Sequence, residues 1–388
     1  MNKFKGYIQL EGDKTIWAIV ILLMIASTLV VYSATGALAY KNAGGNTWYY
    51  MWRHLRFLLL GLGLIYFIHK RAHRYFSRLG QLAFFLSIPA LLYTLVAGVN
   101  LNDASRWIEI GGQSLQTSDV AKLAVVMFLA RQLVKCRDKL HDWKEVCIQL
   151  FLPLILTCAL IFPANFSTAA LVFVNGLILL FLGGVYVRHL SALVGSVFLI
   201  GGLAILLALY VPAIKQAFPR AQTWVNRIEN FTGDKSENSD SFYQVTQAKI
   251  AVVNGGIKGR GPGKSIQRNT LPHPYSDYIY AIIIEEYGLI GGVFILGLYL
   301  TFLFRGRKIF IHSNDSYGAY LVLGLTISMV MQALINMAVA VDFFPVTGQK
   351  LPLVSMGGTS ILFSCVTIGI ILSVSKEMNV SKVKYAAI

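Results

Sequence analysis

Three acidic residues near one predicted helix are the strongest candidates for chemistry in this sequence. Asp277 ends a long basic loop and begins an apolar run, and Glu285 and Glu286 follow about two turns later. Acids in a membrane helix are energetically costly and indicate function by default. An Asp at a helix N-terminus also often serves only as a cap. We expect Asp277 to be an ionised carboxylate that accepts a proton or holds a metal ion. We expect Glu285 and Glu286 to support helix packing or ion pairs.

A second group of polar residues lies in the loop that precedes residue 122. Arg106 and Trp107 are adjacent, so together they can offer a phosphate-binding cation beside a ring that stacks on a sugar. Trp at a membrane surface is ordinarily an interface anchor, which is the alternative. Asp119 and Lys122 are three residues apart and share a helix face. If both are buried they form an ion pair, which can be purely structural.

Two further segments combine backbone freedom with polar groups. Residues 254–264 are rich in glycine and carry Lys258, Arg260 and Lys264, so backbone N–H groups and cations can cradle a phosphate. The alternative is a flexible turn. Residues 345–360 contain two prolines, three glycines and Ser355. Irregular backbone at membrane depth is tolerated only when it is buried in protein or lines a wet cavity. Tight helix packing through small residues is the alternative there.

The composition predicts the elements that position these residues. The chain has 388 residues, of which 56% are hydrophobic and 13% are charged, which is too apolar for a soluble domain. We predict one all-α integral membrane domain over residues 1–388, with about ten transmembrane helices. A long extracytoplasmic loop, residues 213–277, separates the seventh and eighth spans. The predicted spans are about 16–35, 52–69, 80–98, 118–135, 147–162, 166–186, 190–212, 278–304, 317–341 and 353–375.

The net charge of +16 is concentrated in alternate loops. The positive-inside rule then places both termini in the cytoplasm, which agrees with an even number of spans. The long basic loop is predicted to lie outside, either as a solvated, partly disordered loop or as an anion-binding site. The four cysteines suggest no disulfide framework, and no Cys/His spacing suggests a zinc site. The sequence also lacks a P-loop, so energy from ATP is not indicated.

Several motifs in order resemble the SEDS family of bacterial cell-wall proteins (shape, elongation, division and sporulation). The resemblance covers nearly the whole chain, and it departs from the family pattern at Thr117, Asp119, Asn165 and the four residues before Asp277. The matching motifs are Tyr32-Ser-Ala, Arg106-Trp-Ile, Gln116-x-Ser-x-x-x-Lys122, Pro163-Ala-Asn-Phe-Ser-Thr168, the glycine-rich segment, Leu271-Pro with Ser276-Asp277, Glu285-Glu-x-Gly-Leu-Ile-Gly291 and the Pro345-Val-Thr-Gly stretch.

The resemblance implies a peptidoglycan glycosyltransferase that polymerises lipid II at the outer face of the bacterial cytoplasmic membrane. Asp277 matches the family's essential acid, which makes it the candidate catalytic residue and a candidate ligand for Mg²⁺ or Mn²⁺. Gly12-Asp-Lys and Trp52-Arg-His-Leu-Arg56 resemble the division branch, FtsW, more than the elongation branch, RodA. Asp119, Glu285 and Glu286 are predicted to be supporting residues. The predicted substrate-binding residues are Arg106, Trp107, Lys122, Lys258, Arg260, Lys264 and Ser355.

The implied partners are lipid II, membrane lipid, a class B penicillin-binding protein that supplies transpeptidation, and other division proteins, with no nucleic acid. The spans at 190–212 and 278–304 are plausible docking helices. Two other functions remain compatible with ten spans and charged residues in the membrane. One is a lipid II flippase or other transporter, and the other is a scaffold whose activity lies in a partner. An elongation-type polymerase is the alternative within the family.

Overall fold

The structure is a computed structural model that describes residues 10–42, 44–101, 104–110, 113–210 and 240–386. Its first seven helices are α1 (Lys14–Ala34), α2 (Gly36–Asn42), α3 (Thr47–His69), α4 (Arg74–Ala97), α5 (Thr117–Lys135), α6 (Trp143–Ile161) and α7 (Phe166–Leu182). The later ones are α8 (Val187–Tyr210), α9 (Asp240–Gly255), α10 (Ile279–His312), α11 (Ser316–Ala340) and α12 (Thr359–Ala386).

The helices confirm the predicted all-α integral membrane fold. Seven of the described helices are long and apolar enough to cross a membrane. Each of the ten predicted spans coincides with a helix, but α5 is more polar than the seven, and the apolar parts of α7 and α8 are shorter. The number of crossings therefore stays a prediction. The long loop predicted at 213–277 lies partly outside the described residues, and its described part contains α9.

A small antiparallel sheet precedes α5, which the sequence analysis did not predict. Its strands are β1 (Val99–Leu101), β2 (Ala104–Ile110) and β3 (Gln113–Gln116), paired in the order β1-β2-β3. Successive side chains of a strand point to opposite faces. The sheet therefore aims the adjacent residues Arg106 and Trp107 of β2 in different directions.

Helices α1 and α10 run antiparallel and are joined at both ends. At one end the Arg305 Nε donates to Asp13 Oδ2 at 2.8 Å, and Asp13 also caps α1 by accepting from the N–H of Thr15. At the other end Ser33 Oγ donates to the Glu286 carboxylate. The two contacts lie about 20 residues apart in each helix, which is about 30 Å and matches a hydrocarbon core. Glu286 therefore lies at the edge of this span and not in its middle.

Helix α10 is interrupted at Gly288, where φ is 70° and ψ is −173°. Only glycine adopts this backbone region readily. The glycine-rich segment 254–264 packs against the break, with the N–H of Leu289 donating to the Gly256 carbonyl at 2.8 Å. The N–H groups of Arg260 and Gly261 donate in turn to the carbonyls of Glu285 and Glu286, each at 2.9 Å. The glycines thus permit backbone to lie directly on backbone.

We expect Gly288→Ala to lower the thermal stability of the purified protein. The new Cβ would lie 2.1 Å from the Ile257 carbonyl oxygen, and the backbone would be strained as well, at a combined cost of about 2 kcal/mol or more. Gly63→Ala in α3 is the matched control, because its Cβ meets open space. Alanine there should stabilise the helix by up to about 1 kcal/mol. Equal melting temperatures for the two variants would contradict the proposed packing.

Candidate active site

Asp277 lies one residue before the cap of α10, and its carboxylate does not cap the helix. Tyr278 holds the cap position, and no side chain makes a capping hydrogen bond there. The half-buried carboxylate accepts from Ser276 Oγ at 2.8 Å through Oδ1. Within the described residues it makes no ion pair at 4 Å or less. The capping role considered as the alternative for Asp277 is therefore wrong, and this carboxylate is available to a ligand.

The α11–α12 loop, residues 341–358, faces Asp277 and is held by amide side chains of α11. Asn336 Nδ2 donates to the Gln349 carbonyl at 2.6 Å and to the Asp277 carbonyl at 2.8 Å. Gln332 Nε2 donates to the Lys350 carbonyl at 2.8 Å. Gly348 has a φ of 66°, and a Cβ there would lie 3.6 Å from Asp277 Oδ2. These contacts satisfy irregular backbone and bring it against the acid.

Ser355 joins the same loop to the segment that carries Asp277. Its hydroxyl donates to the Ser276 carbonyl at 2.6 Å and accepts from the Leu351 N–H at 2.8 Å. The N–H of Met356 also donates to the Tyr275 carbonyl at 2.9 Å. Because the Ser355 side chain is buried and already bonded, its geometry fits a positioning role. Its predicted contact with substrate stays a prediction.

Lys350 is the site residue that the sequence analysis missed. Its Nζ lies 4.8 Å from the centroid of the Trp107 ring, within reach of a cation–π interaction. Burial lowers the pKa of the Lys350 ammonium, while the charges of Asp119 and Asp277 raise it and that of Lys122 lowers it. Lys350 thus supplies a partly desolvated cation on which the charge of Asp277 acts. The signal for it was present, since it is the one basic residue within the irregular stretch 345–360.

Asp119 and Lys122 form the ion pair that their spacing predicts. Lys122 Nζ lies 2.8 Å from Asp119 Oδ1 and donates to Gln332 Oε1 at 3.0 Å. Gln332 in turn binds the Lys350 carbonyl, so the pair is linked to the α11–α12 loop. All three side chains line a cavity of about 50 Å³. Hydroxyl groups also line it at Ser328, Ser360, Ser364 and Thr367, together with apolar side chains.

Arg106 does not lie beside Trp107 in a joint site. Its Nε donates to the Ala164 carbonyl at 2.7 Å, at the turn between α6 and α7. The strand geometry sends Trp107 the other way, toward Lys350. Asn165 in the same turn caps α7 by accepting from the Thr168 N–H at 3.1 Å. Since Asn caps a helix as well as Asp does, this position needs no negative charge for that role.

The glycine-rich segment does not form the phosphate cradle that its composition suggested. The backbone N–H groups of Arg260 and Gly261 are taken by carbonyls of α10, and the side chains of Lys258, Arg260 and Lys264 are exposed. Any role of these three cations in substrate binding stays a prediction, because the segment packs against α10 about two turns from Asp277.

Glu285 and Glu286 support this packing, and within the described residues neither forms the ion pair considered for it. Glu285 accepts from the N–H groups of Ile266 at 3.1 Å and Gln267 at 3.2 Å, and from the Ser265 hydroxyl. Glu286 binds Ser33. Both carboxylates are almost completely buried. They therefore fasten the segment 261–268 to α10.

The described residues contain no group of three or more His, Cys, Asp or Glu side chains arranged to hold a metal ion. Asp277 is therefore not a member of such a group in this part of the chain. Mg²⁺ is commonly bound by one or two carboxylates together with substrate phosphates and water. This donor set fits a cation that binds together with a phosphorylated substrate.

Helical spans around a half-buried carboxylate, a cation on which its charge acts and a loop of irregular backbone define a multi-pass membrane protein with a polar site. Residues 13–380 match the model of the FtsW, RodA and SpoVE cell cycle proteins. The chain belongs to this family, which confirms the predicted resemblance.

Its curated relatives include two proteins that are 32% identical. The probable peptidoglycan glycosyltransferase FtsW of Nitrosococcus halophilus matches over 96% of this chain and 94% of its own length. That of Coxiella burnetii matches over 92% of both chains. These relatives favour the division branch of the family.

Two solved structures share the fold at 22% identity. One is a chain of a peptidoglycan synthase complex that coordinates polymerization and crosslinking, with a TM-score of 0.69 over 95% of this chain and 99% of that chain. The other is the rod shape determining protein RodA of Thermus thermophilus, with a TM-score of 0.65 over 94% and 97%. The arrangement of helices described above is therefore a known one.

We expect Asp277→Asn to lower the pKa of Lys350 further. The carboxylate favours the charged ammonium, so its removal leaves desolvation less opposed. The measurement is the pH dependence of amine modification at Lys350, followed by peptide mass spectrometry. Glu109→Gln is the control, because Glu109 is exposed on β2 and does not act on Lys350. An unchanged pKa in Asp277→Asn would show that the two charges do not interact.

Proposed function

We propose that this protein is a peptidoglycan glycosyltransferase that polymerises lipid II into glycan strands, for septal wall synthesis in cell division. One observation carries the proposal: Asp277 is a half-buried carboxylate that does not cap α10 and makes no ion pair within the described residues, and the α11–α12 loop faces it. Family membership and the activity in the names of the relatives support the same reaction.

Asp277 acts as general base on the acceptor hydroxyl. The donor sugar is α-linked to undecaprenyl diphosphate and the product is β-1,4-linked, so a single inverting displacement suffices. A carboxylate is a weak base. It therefore receives the proton late, when attack on the oxocarbenium-like donor has already made the hydroxyl acidic. Asn336 and Ser355 keep the segment around Asp277 in position for this transfer.

Lys350 stabilises the departing diphosphate, whose charge increases as the glycosidic bond breaks. A partly desolvated cation acts more strongly on such a charge than one in water. Trp107 lies beneath this cation and offers a ring face to a sugar. Arg106, Lys122 and the exposed cations Lys258, Arg260 and Lys264 add positive potential for the anionic substrate.

A divalent cation, Mg²⁺ or Mn²⁺, is part of the proposal. Asp277 is the residue that would hold it, and the substrate diphosphate would supply further oxygen ligands. When bound, such a cation neutralises charge on the leaving group. The ammonium of Lys350 serves the same end from the protein itself.

The reaction takes place at the outer face of the bacterial cytoplasmic membrane, with both termini in the cytoplasm. The distribution of Lys and Arg supports this orientation. A class B penicillin-binding protein is the proposed partner, since a chain of similar fold occurs in a peptidoglycan synthase complex. The exposed apolar residues of α8 and α10, such as Phe198 and Phe294, face lipid or this partner.

The first experiment is a glycan ladder assay with purified protein, lipid II and the cognate penicillin-binding protein. We expect Asp277→Asn to slow polymerisation by about 100-fold or more, because it removes the general base. Lys350→Gln should also lower the rate, while Lys350→Arg should retain more of it. Glu109→Gln should match the wild type. Ladders from Asp277→Asn at the wild-type rate would refute its role, and lipid II transport without polymerisation would favour the flippase.

Chelation of divalent cations should lower the wild-type rate, and added Mg²⁺ or Mn²⁺ should restore it. Because Asp277 is the proposed protein ligand, the residual rate of Asp277→Asn should respond less to either cation than that of Lys350→Gln does. The measurement is the initial rate of ladder formation against cation concentration. A wild-type rate that is insensitive to chelation would remove the cation from the mechanism and leave the role of Lys350.

A further inference from the structure

A second polar cavity lies at the opposite end of the bundle from Asp277, between the start of α4 and the end of α5. It measures about 340 Å³ and is lined by Arg74, Tyr75, Ser77, Arg78 and Arg131. The positive-inside rule places this end on the cytoplasmic side. None of these residues contributes to the proposed polymerase site.

The three arginines carry charge that the described part of the chain does not neutralise. None of them makes an ion pair at 4 Å or less with a described carboxylate. No described acid lines the cavity, and of the acids at this end Asp315 and Glu377 are engaged by His73 at 2.6 and 2.9 Å. The cavity is therefore electropositive.

Arg74 and Arg78 are placed where helix physics disfavours them. They are four residues apart on one face, so they repel each other. They also lie in the first turns of α4, where the helix dipole is positive. This helix has no acidic residue in its first turn and no side-chain cap. An anion bound in the cavity would reduce the repulsion between the two arginines, offset the helix dipole and supply an acceptor at the uncapped N-terminus of α4.

Arg131 is held in position for such an anion. Its Nη1 donates to the Ser77 carbonyl at 2.9 Å and to Ser77 Oγ at 3.1 Å. The side chain is half-buried and bridges α5 to α4. The fixed guanidinium and the two exposed ones thus line the cavity from two helices.

An apolar stripe leads from the cavity along the lipid-facing side of α4. Tyr75 lines the cavity and is 70% exposed, and Leu79, Leu82 and Leu86 continue the same face at 53%, 57% and 60%. Their spacing is that of one helix face. A headgroup in the cavity would therefore have its acyl chain against this stripe.

We propose that the cavity binds the phosphodiester headgroup of an anionic phospholipid, such as phosphatidylglycerol, from the cytoplasmic leaflet. Basic pockets between membrane helices on this side suit such headgroups. The combination of a basic cavity and a contiguous lipid-facing stripe favours a membrane lipid over a soluble phosphate. The bound lipid joins α4 to α5 and stabilises the bundle at the end opposite the polymerase site.

The test uses the full-length protein in detergent with added dioleoyl phosphatidylglycerol or dioleoyl phosphatidylcholine. Native mass spectrometry counts the bound lipids, and a melting curve measures the stabilisation. We expect wild type to retain phosphatidylglycerol and to melt at a higher temperature with it than with phosphatidylcholine. The double variant Arg74→Gln/Arg78→Gln should lose about fivefold in affinity for each arginine removed. Arg307→Gln, an exposed arginine of α10 on the same side, should behave as wild type.

In phosphatidylcholine the double variant should be at least as stable as wild type, because it loses a like-charge repulsion. This comparison separates lost binding from a folding defect. Equal retention of phosphatidylglycerol by wild type and double variant would overturn the proposal. Displacement of the lipid by inorganic phosphate alone would overturn it too, since the site would then be one for a soluble anion.

Discussion

The proposed active site depends on one constraint: the irregular backbone of the α11–α12 loop must find hydrogen-bond partners. Polar backbone groups within an apolar bundle are costly unless they find partners. Asn336, Gln332 and Ser355 supply those partners, and the Tyr299 hydroxyl binds the Pro352 carbonyl. Because these contacts fix the loop before the reaction begins, Gly348 and Lys350 already lie on the side of Asp277. No free energy is then needed to reorganise the loop during the reaction. The acid and the cation are preorganised by groups that bind the backbone around them.

The carboxylates of the chain divide into two kinds according to their surroundings. Glu285 and Asp13 are buried and have several donors each, and the buried Glu286 binds Ser33, so all three hold pieces of the fold together. Asp277 has one donor from its neighbour and an open side. Charge in a membrane protein is thus no sufficient sign of function, because its hydrogen-bonding partners decide between structure and chemistry.

The helices could be predicted from the sequence because long apolar stretches allow little else in a membrane. The Asp119–Lys122 pair followed from helical spacing alone. The sheet of β1 to β3 could have been found from the alternation in Arg106-Trp-Ile-Glu-Ile and the adjacent glycine pair, both of which signal a hairpin. The role of Lys350 and the contacts of Glu285 could not have been found in the sequence, since they depend on which distant segments pack together in the fold. The phosphate cradle predicted for the glycine-rich segment was wrong for a related reason. Its glycines let the backbone pack closely on α10, and they do not form a ligand site.

The double fastening of α1 to α10 has a consequence for the membrane around the protein. Two contacts about 20 residues apart prevent the helices from sliding past each other, so the apolar height of this pair is set at about 30 Å. A bilayer of another thickness cannot be matched by a change in register and must be met by tilting of the pair or by deformation of the lipid. The protein should therefore favour regions of membrane whose hydrocarbon core is about as thick as the apolar part of the α1–α10 pair is long.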